Sequence, residues 1–340
     1  MDSITQAILG AVVADAVLGR RLGNRAVLWG LALGTLPDLD ILVYPWLDEV
    51  QRLYWHRGLS HSILGLAIAT PLCAWLLRRV HGPVVSWARS LVAVALVLVT
   101  HVIIDLYNLY GTQILEPFSS RRVSIGNMAI IDPLFTLPLL GATLAVLWIR
   151  HNPGLRWRIS MLALLLATLY SAWSLTAKAM VNHRFAAHLP DGGAEVIRWR
   201  TAPTLANTLL WRAVVEVPDG YWVGYASLLD ADPAIDWRWI EARHDLLEGW
   251  EQGRAVAAAQ WFSDGYYTVR MIDDRPLISD VRLGMMADGD DQQQPPWSGV
   301  FHFHISQDGQ SLQRVSRPVD DANASIARGW RRMWGQRPSD

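Results

Sequence analysis

The chain has 340 residues, of which 51% are hydrophobic and 18% charged, and this composition is too apolar for most soluble proteins. Residues 1–181 contain 14 Lys and Arg against 9 Asp and Glu, a net charge of +5, whereas residues 182–340 contain 16 against 22, a net charge of −6. Neither half has the dense basic stripe of a nucleic-acid-binding protein, and the single cysteine, Cys73, excludes an intrachain disulfide.

Apolar segments dominate the first half of the chain. A bilayer core of about 30 Å takes roughly 20 residues of helix to cross, and six segments approach that length: 3–19, 26–45, 59–77, 89–110, 130–149 and 159–181. Because Asp15 interrupts the first segment, an amphipathic, re-entrant or interfacial helix is the alternative there. The start lacks a basic region and a small-residue cleavage site, so we expect the first segment to stay in the membrane.

The loops between these segments differ in basic charge. Nine arginines follow the first, third and fifth segments, against four in the opposite loops, 46–58 and 111–129. Since basic loops stay in the cytoplasm, both termini are expected outside. The nine are Arg20, Arg21, Arg25, Arg78, Arg79, Arg89, Arg150, Arg156 and Arg158, and the four are Arg52, Arg57, Arg121 and Arg122.

Beyond residue 181 the pattern changes to short runs with a period of two, rich in aromatic and β-branched residues. The runs 209–217, 221–225, 266–271 and 300–305 are predicted strands, 236–259 is predicted helical, and 287–296 is a predicted loop. The expected fold class is therefore an α-helical polytopic membrane bundle of about six spans (residues 1–181), followed by a small α+β soluble domain with an antiparallel sheet (residues 182–340).

Acidic and histidine residues are costly inside a bilayer, at about 2.5–3.5 kcal/mol for an acid at a helix centre. The predicted topology nevertheless brings several of them to one side of the membrane. His101 and Asp105 are four residues apart, so they share one helix face. The other acidic and histidine residues that the predicted topology brings to this side are Asp38, Asp40, His56, His61 and Asp132.

Local sequence supports convergence of these residues. Pro37 disfavours helical geometry just before it and frees Asp38 and Asp40 to turn inward. In the run from His56 to Ser62, Gly58 allows a sharp entry and Ser60 is the predicted cap of the next helix. Mixed imidazole and carboxylate ligands suit Zn²⁺, Mn²⁺ or Fe²⁺ better than Mg²⁺ or Ca²⁺. Arg57 is the candidate for binding an anion such as phosphate.

Four motifs carry a family resemblance: MDSITQAILG at the start, PDLD at 37–40, HRGLSHS at 56–62 and THVIID at 100–105. They resemble the YdjM-like family, described as membrane-bound metal-dependent hydrolases, over about residues 1–180. The resemblance implies metal or catalytic roles for Asp38, Asp40, His56, His61, His101 and Asp105. Many relatives have histidine where this chain has Gln6, which puts an N-terminal ligand in doubt.

The predicted function is that of a hydrolase of the bacterial inner membrane, with its C-terminal domain in the periplasm. One or two divalent ions, most simply Zn or Mn, would activate water and clamp a phosphoester or ester of a lipid or lipid-linked substrate. Asp38 or Asp40 is the expected general base, and Arg57 would neutralise the transition state. The alternatives are a metal-binding structural or transport protein, and a non-catalytic envelope partner acting through residues 182–340. No nucleic-acid partner is expected.

Overall fold

The computed structural model describes residues 1–149, 151–190, 193, 195–204, 206–284, 301–315 and 322–336. The chain forms two compact units. The helical unit comprises Met1–Pro45 and Trp55–Ser174, and the sheet unit comprises Trp46–Tyr54 and Leu175–Asp340. The predicted loop 287–296 lies outside the described residues.

Helices make up most of the first 187 residues. The α-helices of the described chain are α1 (Ser3–Leu22), α2 (Asn24–Thr35), α3 (Glu49–Trp55), α4 (Ile63–His81), α5 (Trp87–Leu106), α6 (Pro133–Trp148), α7 (Pro153–Ala187), α8 (Arg254–Phe262) and α9 (Ala322–Met333). Short 3₁₀ helices occupy Pro37–Trp46, Leu59–His61, Gly82–Val84 and His244–Leu247.

Fewer than six helices of the described residues have the length and hydropathy of a membrane span. Within the described residues, four helices are long and apolar enough to span a bilayer: α1, α4 extended to Val84, α5 and α7. Helix α2 and the 3₁₀ helix Pro37–Trp46 qualify as a fifth only if they count together, because they are bent by 50°. Helix α6 has 16 residues, about 24 Å, which is short for a core of about 30 Å. Six spans are therefore not confirmed.

Helix α1 lies at the centre of the helical unit, with 67% of its most apolar window buried, against 11% for α4. Glycines let it approach α2 closely. A Cβ added at Gly10 would lie 2.3 Å from the Gly30 carbonyl oxygen, and one at Gly34 would lie 2.6 Å from the Gln6 carbonyl oxygen. Small residues four apart allow such backbone contact in membrane helices, so the two helices form one packed pair.

A buried ion pair joins α1 to α7. Arg156 pairs with Asp15, which also accepts a hydrogen bond from the Ser160 hydroxyl at 2.9 Å. The same guanidinium donates to the Asn24 side chain at 2.6 Å. Asp15 is therefore compatible with a buried α1, because the Arg156 guanidinium compensates its charge within the bundle.

The described residues of the sheet unit form two four-stranded antiparallel sheets, where one sheet was expected. The first follows the order β1-β2-β3-β4 and the second β5-β6-β7-β8. The strands are β1 (Arg198–Pro203), β2 (Leu210–Val217), β3 (Gly220–Ser227), β4 (Arg238–Glu241), β5 (Tyr267–Ile272), β6 (Arg275–Asp280), β7 (His302–Ile305) and β8 (Leu312–Val315). The four predicted strands coincide with β2, β3, β5 and β7.

The predicted helix over 236–259 is wrong for most of its length. Strand β4 occupies Arg238–Glu241, where it pairs with β3, and α8 begins only at Arg254. The helical spacing of apolar residues was overridden by pairing with β3, a contact between distant parts of the chain. Strand β6 was missed, because its turn from β5 consists of Asp273 and Asp274, both at positive φ, instead of a glycine turn.

Candidate metal centre

Four side chains of the helical unit converge on one point: Asp38, His61, His101 and Asp105. Asp38 follows the break after α2, and His61 ends the 3₁₀ helix before α4. His101 and Asp105 share one face of α5. One ligand atom from each lies within 4.8 Å of the others, and three of the four residues are buried.

The spacing of these atoms matches tetrahedral coordination. The Nε2 atoms of His61 and His101 are 3.2 Å apart, and His61 Nε2 lies 3.3 Å from both Asp38 Oδ1 and Asp105 Oδ2. His101 Nε2 is 3.7 Å from Asp38 Oδ1 and 3.6 Å from Asp105 Oδ2. Four ligands at about 2.0–2.1 Å from a zinc ion lie about 3.3 Å from one another. The set therefore has the dimensions of a single-ion site.

Hydrogen bonds select the ring nitrogen that each histidine offers. His101 Nδ1 donates to the Gly34 carbonyl oxygen at 2.7 Å, since a carbonyl only accepts. The Ser60 hydroxyl donates to Asp40 Oδ2 at 3.2 Å and therefore accepts from His61 Nδ1 at 2.8 Å. Both neutral rings then carry a lone pair on Nε2, and such partners are typical of metal-binding histidines.

The fit to a cation is also visible at Asp105. Its Oδ1 atom is bound by Arg57 at 2.9 Å, by Gln6 Nε2 at 3.0 Å and by the amino group of Met1. Its Oδ2 atom is buried and makes no hydrogen bond. A bare carboxylate oxygen facing two imidazole lone pairs is unfavourable in an apolar interior, and a divalent cation at the centre would satisfy all three atoms.

Asp40 and His56 lie beside this group and not within it. Asp40 accepts from His56 Nδ1 at 3.1 Å, from the Arg57 backbone N–H at 2.9 Å and from Ser60. The His56 side chain is 20% exposed, and its ring centroid is 6.4 Å from that of His61. The geometry thus separates the six predicted ligands into a group of four and an adjacent pair, whose role as ligands remains a prediction.

Arg57 is buried, and its backbone is left-handed, with a φ of 56°. This uncommon conformation for a non-glycine residue replaces the sharp entry predicted at Gly58. The guanidinium binds Asp105 and the Asn108 side-chain oxygen, the latter at 3.3 Å, and lies over the Tyr110 ring. Arg57 therefore positions the candidate ligand Asp105. The sequence had suggested a different role for Arg57, the binding of an anion such as phosphate.

Three further residues were singled out from the sequence: Gln6, Asp132 and Ser60. Gln6 contacts Asp105, so the position at which the family resemblance implied an N-terminal ligand is adjacent to the site. Asp132 caps α6 and accepts from the Tyr170 hydroxyl at 2.7 Å. The cap of α4 is Ser62, which accepts from the Gly65 N–H at 2.9 Å, and the prediction of Ser60 is wrong.

Sequence reasoning missed the Gly34 carbonyl, which orients His101. A backbone group has no signature of its own, but Gly30 and Gly34 are four residues apart, and that spacing was the available signal of close packing against α1. That packing places the end of α2 beside α5.

Comparison with known proteins agrees with this architecture. A family model described as YdjM inner membrane protein matches residues 1–181, more than half of the chain. The uncharacterized protein YfhP of Bacillus subtilis (strain 168) is 25% identical over 316 residues, covering 84% of this chain and 91% of that protein. No solved structure matches. With its apolar helices and this match over residues 1–181, the chain belongs to the YdjM inner membrane protein family.

Proposed function

We propose that this protein is a membrane-bound metal-dependent hydrolase acting on a phosphoester or ester of a lipid or lipid-linked substrate. The observation that carries the proposal is the Asp40–His56 pair beside the four candidate ligands. A purely structural ion needs its ligands and the groups that orient them. A partly exposed imidazole held by a second carboxylate is surplus to that need and suits proton transfer.

Each residue then has a defined task. Asp38, His61, His101 and Asp105 would hold the ion, which would supply Lewis acidity and an activated water. Asp40 fixes the His56 ring through Nδ1, so the opposite nitrogen is available to take up or return a proton. Arg57 holds Oδ1 of Asp105 and so directs Oδ2 toward the centre.

The surroundings of the site favour a lipid substrate. Asp38 is the member of the group that is not fully buried, with 16% of its side chain exposed. The neighbouring apolar side chains Leu39, Leu42 and Leu59 are 44%, 63% and 49% exposed. Exposed apolar groups beside a polar site suit a molecule with both an acyl or prenyl chain and a polar head.

A structural metal site is the second candidate, and the four-donor tetrahedral spacing favours it. Closed zinc sites use four protein ligands, whereas catalytic sites keep one position for water or substrate. The two candidates differ in whether the ion would keep an open position for water beside these four side chains.

The test is turnover by purified full-length protein with manganese or zinc added. Phospholipids and polyprenyl phosphates are supplied in mixed micelles, and released products are followed by mass spectrometry. The wild type is expected to hydrolyse at least one class. Asp40→Asn should retain its metal but lose turnover by about 100-fold or more, since general acid–base groups contribute about 10²–10⁴-fold.

Asp132→Asn is the matched control, because it neutralises another buried carboxylate of the helical unit that has no contact with the four-residue group. It should keep both metal and turnover. A wild type that holds metal but releases no product from either lipid class would reject the hydrolase and leave the structural site standing.

A further inference from the structure

A groove of about 580 Å³ lies between α2 and α4, away from the four-residue metal centre. Its apolar wall consists of Leu28, Ala32 and Val80, and Leu28 and Val80 are each 61% exposed. Arg25, Trp29 and His81 complete the lining. The groove thus combines a hydrocarbon surface with cationic and hydrogen-bonding groups.

Positive charge at this end of the helices is uncompensated. Arg25 is in the first turn of α2, and Arg78 and Arg79 are in the last turn of α4. Throughout the described chain, none of these three arginines pairs with a carboxylate, and the buried Nε atom of Arg78 has no hydrogen-bond partner. Of the three, Arg25 lines the groove, where an anion would pair with its guanidinium.

A hydrogen bond prepares His81 as a donor. Trp29 Nε1 donates to His81 Nε2 at 2.7 Å, so the proton of the neutral ring is on Nδ1. Tryptophan and arginine at the end of an apolar helix are typical of the headgroup level of a bilayer. Arg25 and His81 therefore lie where a lipid phosphate would be found.

From this juxtaposition we infer that the α2–α4 groove binds an anionic phospholipid, with an acyl chain along Leu28, Ala32 and Val80 and the phosphate at Arg25 and His81. Basic pockets between membrane helices recognise anionic headgroups in this way. The apolar wall distinguishes the ligand from free phosphate, which would gain nothing from it. This site is independent of the metal centre and of the proposed hydrolysis.

The experiment is native mass spectrometry of the full chain in a nonionic detergent, titrated with phosphatidylglycerol or with phosphatidylcholine. The wild type should bind one phosphatidylglycerol more tightly than phosphatidylcholine. Arg25→Gln should weaken phosphatidylglycerol by about fivefold, the effect of one basic residue near a lipid surface. Ala32→Phe, which fills the groove without changing charge, should weaken it as well.

Arg89→Gln is the charge-matched control, because Arg89 is exposed in the first turn of α5 and does not line the groove. It should bind like the wild type. Equal affinity for both lipids would overturn the inference, as would wild-type binding by both Arg25→Gln and Ala32→Phe. If Arg25→Gln and Arg89→Gln weaken phosphatidylglycerol binding equally, the lipid is held only by diffuse charge attraction. If inorganic phosphate displaces the lipid, the groove is a simple anion site. Either result would also reject it.

Discussion

At the scale of single residues, the candidate metal centre depends on how each donor is held. Asp105 uses one oxygen for Arg57 and Gln6 and directs the other toward His61 and His101. Two carboxylates and a guanidinium inside an apolar bundle are costly unless each is paired. A bound divalent ion would offset that cost, and so metal binding and stability of the helical unit should be linked.

Metal removal tests this linkage. Wild-type protein purified without chelators should retain zinc, manganese or iron, measured by elemental mass spectrometry, and EDTA should lower its melting temperature. His101→Ala combined with Asp105→Ala should lose most of the metal, because half of the four ligands are gone. Asp132→Asn should retain it. A metal-free wild type whose melting temperature is unchanged by added zinc or manganese would contradict the metal site.

At the scale of elements, small breaks in regular structure bring distant residues together. Helix α2 ends at Thr35, and the 3₁₀ helix that follows from Pro37 is inclined to it by 50°. Leu36 keeps helical dihedral angles, with φ −55° and ψ −45°, so the predicted loss of helical geometry before Pro37 is wrong. Without this bend, Asp38 would continue along the axis of α2. In the sheet unit, a single residue after β3, Asp230, attaches α9.

Asp230 is a buried carboxylate that joins α9 to the end of α7. It accepts from Arg332, from Arg184 at 3.1 Å and from the Ser227 N–H at 2.8 Å. Burial alone would raise the pKa of Asp230, but the bonds from Arg332 and Ser227 outweigh it and the pKa is lowered. A lowered pKa stabilises the fold at neutral pH, and this stabilisation is lost as pH falls below about 4 toward the folded-state value.

We therefore expect Asp230→Asn to destabilise the sheet unit by about 3 kcal/mol at pH 7, the scale for removing one partner of a buried pair. The difference in unfolding free energy between this variant and the wild type should become smaller as pH falls below about 4. Thermal melts followed by tryptophan fluorescence measure both effects. Asp245→Asn is the control, because that carboxylate is 66% exposed and pairs loosely with Arg243; its effect should stay within about 0.5 kcal/mol. Equal melting of Asp230→Asn and wild type at pH 7 would refute the role.

At the scale of the whole molecule, the predicted orientation in the membrane rests on loop charge. Arg156 is buried against Asp15 and Arg57 against Asp105, so neither acts as a loop charge. Without Arg156, the loops after the first, third and fifth segments hold eight basic residues. Without Arg57, the opposite loops hold three. The charge asymmetry is thus preserved, and the external C-terminus stays a prediction that assumes six crossings, a number that the structure does not confirm.

Fusions after Asp340 measure this orientation. Alkaline phosphatase placed there should be active, since it folds outside the cytoplasm, and green fluorescent protein exported by the general secretory route should be dark. The same two reporters after Arg21, predicted to be cytoplasmic, should show the opposite pattern and provide the control. Bright fluorescence after Asp340 with an inactive phosphatase would reverse the topology, leaving the metal centre unaffected.

Much of this protein could be predicted from its sequence, because the determining interactions are local or compositional. Apolar length indicated a helical region with four or five candidate spans of the six expected. Period-two runs indicated four strands, and the spacing of His101 and Asp105 placed both on one face of α5. The motifs around Asp38 and His61 indicated the remaining members of the metal group.

Contacts between distant residues decided the rest. The sequence could not separate Asp40 and His56 from the four-residue group, because ligand-type residues look alike until the bend after α2 and the backbone at Arg57 set their directions. Strand β4 became a strand because β3 was available to pair with it. The sequence determined which residues bear chemistry, since chemical type is a property of each side chain. Only the tertiary structure decided which of them meet, because that depends on packing across the whole helical unit.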